Sequence, residues 1–340
     1  MDRRTFLVGG ALAAGCGREP SRGFPGYALV ANEDGKSVAV VDLSAFALRR
    51  HLAFDSAPTA VATHPSRAVA YALTPHNGVV HEIDLASLAV ARKTRLGGAA
   101  HSMRLAPGGA SMWVLQRHAR ALVGIATDRM EVAQRVSLPG LPEDFDLSRD
   151  GQAAVSLPAD NAVALVDGGK LERVVKTGQE PRTVRWRPDA RQVLAGNTGD
   201  RTLTAIDAAT GRVVVHLPLA VSPDRFCFRA DGGMLFITGE GLDAVVIVYP
   251  YRNLVAETVL AGRAPGAMAV STTAPDLLFV ASPQSGDVTL MDITTSKIRG
   301  AVAVGAEPGH ITVTPDDQYA LVLNRRSGDM AVIWLAALRD

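Results

Sequence analysis

The chain has 340 residues and a formal net charge of +1. Hydrophobic residues make up 47% of it and aromatics only 5%. This composition argues against disorder, and the absence of any run of about 20 apolar residues argues against a spanning helix. No basic stripe or block of like charge occurs, so nucleic acid is not an expected partner.

In chain order, the first element is a targeting segment. Arg3 and Arg4 precede the short apolar stretch Phe6 to Ala14, and small residues follow. This pattern is similar to a twin-arginine export signal, which is read by a receptor and does not anchor the chain. Ala13-Ala14-Gly15-Cys16 resembles a lipoprotein cleavage site, with Cys16 as the lipidated residue. It departs from the usual pattern in carrying Ala13 three places before the cysteine, where Leu, Val or Ile is common. An ordinary cleaved signal is the alternative. The expected organisation is a signal over 1–15, a short linker over 16–26 and one domain over 27–340. The product would be exported, periplasmic or extracellular, monomeric and tethered to a membrane through lipid on Cys16. The signal contains Asp2, Arg3 and Arg4, so the rest of the chain carries equal numbers of basic and acidic residues. The other cysteine, Cys227, lies in a strand-like run and reads as a small buried residue, not a nucleophile.

From Tyr27 the chain repeats with a period of about 42 residues. Copies begin at Tyr27, Val69, Met112, Ala154, Val193, Leu235, Leu278 and Tyr319. Each has two extended runs joined by a polar loop, a third run, then a fourth ending near Pro65, Pro107, Pro188 or Pro315 in the clearest cases. Short alternating runs bounded by turn residues predict strands and hairpins. The period predicts an all-β protein, a β-propeller of four-stranded blades. Eight copies of the first hairpin stand against seven of the third and fourth runs. Eight blades with short terminal ones are favoured, and seven blades with overlapping ends are the alternative. Asp42, Asp84, Asp167, Asp207 and Asp292 close the second run, where a carboxylate can accept hydrogen bonds from the turn ahead.

The units YALVAN with SVAVVD, VLAGN with LTAID, LLFVAS with VTLMD, and the loop VGAEPGHITVTPDDQ (304–318) carry a resemblance to the YVTN β-propeller repeat family. It covers residues 27–340 and implies the fold more strongly than any activity. Members include surface-layer and other exported proteins, and more distant relatives include lactonase-type enzymes and haem-binding propellers. WD-repeat proteins share the architecture, but no Trp-Asp pair occurs in this chain.

No covalent-haem, nucleophile-elbow, zincin or phosphate-loop motif is present, so no cofactor is evident. The informative positions lie in the loops before the fourth run, which lead to the channel mouth of a propeller. The resemblance implies small neutral residues there. Five of the seven loops instead carry His101, Arg104, Glu143, Asp144, Asp146, Arg182, Arg185, Asp224, Arg225 and His310. Such convergent polar groups are a candidate site for a small polar ligand or an unidentified protein. His101 and His310 with Asp144 or Glu143 could hold a metal, and the arginines could grip a carboxylate or phosphate. Mutual ion pairing is the competing expectation. Tyr249-Pro250-Tyr251-Arg252 replaces the closing Asp of the sixth copy and reads as a partner contact or a self-packed turn. The first expected function is a non-catalytic binding or scaffold module. The alternatives are haem or metal handling through His101 or His310, and a lactonase-like hydrolase using mouth carboxylates and arginines.

Overall fold

In the computed structural model, residues 23–273 and 276–338 are described. They form an all-β protein of eight antiparallel sheets, the blades of a β-propeller. Six sheets have four strands, and the first and eighth have three. Among the described residues the helical content is two short 3-10 turns, Pro158–Asp160 and Leu335–Leu338. None is long and apolar enough to cross a membrane. The expected signal with Arg3, Arg4 and Cys16 lies outside the described residues.

The second sheet shows the rule. Its strands Ala60–Thr63, Val69–Thr74, Val79–Asp84 and Ala89–Arg95 pair in chain order. The run ending near each proline therefore heads the next sheet. That is why the first sheet lacks a leading strand and the terminal sheets are short. Hairpin starts fall within one residue of those read from the repeat, as at Tyr27, Ser111, Ala153, Gln192 and Leu277.

Burial explains the strand composition. The two middle strands of the second sheet are almost wholly buried, whereas its last strand is mostly exposed. Strands covered on both faces read as near-continuous apolar runs, and the exposed edge carries the polar residues. Each core lies between neighbouring sheets. Tyr71, Leu73 and Val80 of the second sheet pack with Met112, Val114, Val123 and Ile125 of the third. Phe236 and Ile247 of the sixth pack with Leu278, Val280 and Met291 of the seventh.

The chain divides into two compact units, residues 25–195 with 204–214, and residues 196–203 with 215–340. In the first unit the leading strands of the fourth and fifth sheets, Phe145–Leu147 and Pro181–Trp186, lie side by side. In the second, Met268–Val270 lies against both Ser222–Phe228 and Pro308–Val313.

The closing aspartates divide by turn chemistry. Asp84 accepts from the Ser87 amide and hydroxyl, both at 2.7 Å. Asp42 does the same with Ser44, and Asp207 with Thr210. Asp292 accepts from the Thr295 amide at 2.9 Å and from Arg299 at 2.6 Å. Asp167 departs from the expectation, because Gly168 and Gly169 form its turn and offer no hydroxyl. It accepts from Gln152 instead. Before the third strand the chain uses left-handed residues other than glycine, including Leu88, Met130 and Ser296, with φ of 50°, 55° and 55°. Leu88 and Met130 are buried in the cores, so apolar burial offsets the backbone cost at those two turns.

Candidate functional site

In the first unit the expected mouth residues assemble into an ion-pair network. Arg104 comes from Ser102–Leu105, Asp146 from Phe145–Leu147 with Asp144 just ahead of it, and Arg185 from Pro181–Trp186. Residues 144 and 146 share one face because successive extended residues alternate. Asp144 accepts from Arg185 at 2.5 Å, from Arg104 at 3.3 Å and from the Val184 amide at 3.2 Å. Asp146 accepts from the Trp186 amide at 2.8 Å and lies 3.7 Å from Arg104. Arg104 also donates to the Phe145 carbonyl oxygen, its guanidinium 5.7 Å from the Phe145 ring centre. Two carboxylates and two guanidinium groups thus balance across three neighbouring sheets. Burial pushes the Asp146 carboxyl above its ordinary range, with Arg104 and Arg185 acting against it.

The remaining expected residues of this unit lie apart from that core. Glu143 pairs with Arg117 at 2.9 Å, a partner the repeat alignment did not single out. Arg182 is exposed and meets Glu180 at 3.4 Å. His101 is exposed, and its amide donates to the Leu115 carbonyl oxygen at 2.7 Å.

In the second unit the same repeat position is bulged. Pairing slips between Pro223 and Arg225, and again between Pro308 and His310, leaving Asp224 and Gly309 as the extra residues. A bulge re-aims the side chains beside it. Asp224 and Arg225 form an exposed pair at 3.1 Å. His310 is solvent-accessible, yet partial desolvation, then the charges of Arg325 and Arg225, push its imidazole below the ordinary value. Neutral imidazole is the form that can ligate a metal.

No three His, Cys, Asp or Glu side chains gather to hold a metal among the described residues. His101, Glu143 and Asp144 belong to the first unit and His310 to the second. The Cys227 thiol is pushed up to about 12 by burial, which makes it a poor nucleophile. The Tyr249 turn packs on itself, with Arg252 5.9 Å from the Tyr249 ring centre.

The second unit also contains an open groove of about 590 Å³ lined by Arg263, Gln284, Ser285, Glu307, Arg325 and Arg326, among others. Its arginines Arg325 and Arg326 sit inside the last hairpin, in Asn324-Arg325-Arg326-Ser327, outside the loops before the fourth run where the repeat departs from small residues.

No family profile matches the chain. A seven-bladed β-propeller protein of Mycobacterium tuberculosis is 26% identical over 145 residues, 41% of this chain and 37% of that protein. An uncharacterised WD repeat-containing protein of Synechocystis is 26% identical over 157 residues, 45% and 44% of the two chains. The matches thus span less than half the length of these curated relatives. Among solved structures, dihydro-haem d1 dehydrogenase NirN in complex with DHE superposes with a TM-score of 0.72 at 16% identity, over 93% of this chain and 72% of that one. Hydrazine synthase of Kuenenia stuttgartiensis gives 0.65 at 18%, over 82% and 95%. At such identities the likeness establishes the fold. The chain is a β-propeller repeat protein.

Proposed function

We propose that the chain is an exported β-propeller of the YVTN repeat type, tethered by lipid on Cys16 and acting as a non-catalytic binding module. The observation that carries this reading is the contrast in charge pairing. Asp144 and Glu143, the carboxylates best placed for acid–base work, are each held in ion pairs. Those ion pairs engage the oxygens that would meet a substrate, which weighs against acid–base work. The open polar groove supplies the concave surface that binding requires. The repeat units matched above support the YVTN assignment, and the Arg3-Arg4 segment ahead of Cys16 supports export and anchoring.

Intact mass and cell fractionation test the anchor. Diacylglycerol on Cys16 and release of Cys16→Ala from the membrane fraction are expected. An unmodified cysteine with unchanged partitioning would remove that part of the reading. Crosslinking in the exported fraction tests the binding role, which predicts a specific adduct.

A second reading, haem or metal handling, is supported by the likeness to NirN and by a depressed His310 imidazole. It predicts visible absorbance after incubation with haem that His310→Ala abolishes. A protein that stays colourless would end it.

A further inference from the structure

The groove of the second unit combines several features absent from the Asp144 network. Its walls are three loops from the seventh and eighth sheets, facing Arg263 from the loop before the seventh. These loops are tied together. The Val304 amide donates to the Gly286 carbonyl oxygen at 3.1 Å, and the Arg263 amide to the Ser285 hydroxyl at 3.2 Å. The Arg325 amide donates to the Glu307 carbonyl oxygen at 2.9 Å, and the Arg326 amide to that of Ala306 at 3.2 Å. Asn324 bridges Val304 and Asp329 at 3.1 and 2.7 Å. The cavity is therefore largely preformed, within the size range of small-molecule sites.

Its charge is not balanced. Arg263, Arg325 and Arg326 line it with Glu307 as the lone carboxylate, and none of the three arginines is in an ion pair among the described residues. His310 lies close enough to Arg325 for that guanidinium's charge to act on its imidazole. Gly309 seats Arg325: a Cβ there would run into its Nε and Cδ. The bulge that leaves Gly309 unpaired thus makes room for the guanidinium to lie across the backbone.

We propose that the groove lined by Arg263, Arg325 and Arg326 binds a small soluble oxyanion carrying at least two negative charges, a polycarboxylate or a phosphorylated compound. The inference rests on the binding-module reading and names its ligand class. The planar guanidinium forks match carboxylate and phosphate oxygens in pairs. Glu307 disfavours a ligand of negative charge alone and selects one that also offers a hydroxyl or amino donor.

The test is calorimetric titration of the full chain with citrate, with inorganic phosphate and, separately, with vesicles containing phosphatidic acid. Citrate is expected to bind more tightly than phosphate. Arg263→Ala and Arg325→Ala should each weaken it about tenfold, the value of one charge-assisted contact. Glu307→Gln should tighten it, a change of opposite sign that a folding defect would not produce. Gly309→Ala should weaken binding by displacing Arg325 without removing it. Binding that is absent, or unchanged in Arg263→Ala and Arg325→Ala, overturns the proposal. Binding to vesicles alone, lost in the same variants, overturns its soluble-ligand assignment. A chain that crosslinks to a partner but ignores both anions loses this inference only. A chain that binds citrate and converts it loses the binding-module reading only.

Discussion

The Asp144 network and the arginine groove are both rich in charge, and they differ in how that charge is spent. In the network each carboxylate meets a guanidinium or a backbone amide, and the four side chains are only about a fifth to a third exposed. In the groove three exposed arginines surround one carboxylate that pairs with none of them. Charged residues at loop ends are thus not a site by virtue of being charged. Where neighbouring strands bring opposite signs together, charge holds sheets in place. Where the signs do not cancel, it is available to a ligand.

The sharpest way to break this comparison is to remove one partner from each region. Asp144→Ala strands Arg185 and Arg104 in a half-buried position and should cost about 2–3 kcal/mol in urea denaturation. Arg325→Ala, on an exposed side chain without an ion pair, should change stability by less than about 0.5 kcal/mol. Equal costs would erase the distinction.

Acid offers a second separation. Burial, then the charges of Lys93 and Arg95, lowers the His81 imidazole from 6.5 to about 4. The unfolded chain takes up that proton first, so stability should fall as pH drops from about 6.5 to 4. His81→Gln should flatten this limb while keeping a partner for the Thr74 hydroxyl, 3.1 Å from the imidazole. At lower pH the turn aspartates take over. Hydrogen bonds from Ser44, Ser87 and Thr210, and the Arg299 guanidinium, hold Asp42, Asp84, Asp207 and Asp292 below their ordinary range. Their contribution is complete above about pH 4 and is lost as pH falls through the lowered values. Asp146 carries the opposite sign. Its raised carboxyl makes the folded state more proton-hungry than the unfolded one, so Asp146→Asn should be far milder than Asp144→Ala. A loss in Asp146→Asn as large as that of Asp144→Ala would show that the charge of Asp146 is needed.

The smallest effect concerns backbone alone. Ser296→Gly should stabilise by about 0.5–1 kcal/mol by relieving a left-handed serine. The same change at Leu88 should destabilise, because the buried side chain is lost with the strain. Matching signs at the two positions would mean that backbone strain alone governs these turns.

The strands were legible because apolar alternation and turn residues are local. Hairpin starts such as Tyr27, Val69 and Tyr319 needed no tertiary information. The identities of Arg104, Asp144, Asp146 and Arg185 were equally visible as departures from small loop residues. Mutual ion pairing stood as one of two expectations, but which residues would pair was not legible, because that depends on which sheets are neighbours and how deeply each carboxylate sits. The groove was hidden for a related reason. Arg325 and Arg326 read as an ordinary polar hairpin loop; strand pairing within the eighth sheet sets them beside Glu307, and the neighbouring seventh-sheet loops bring Arg263 to the same groove. The Gly309 bulge that seats Arg325 is one extra residue in a strand, which composition does not reveal.

Citrate titrated into Arg182→Ala and into Arg325→Ala, side by side with the unaltered chain, separates the two regions. Arg182 stands for the loop-end charges of the first unit and Arg325 for the groove. The account expects Arg182→Ala to bind as the unaltered chain does and Arg325→Ala to bind about tenfold more weakly. Loss of binding in Arg182→Ala with Arg325→Ala unaffected would contradict it and move the site to the loops of the first unit.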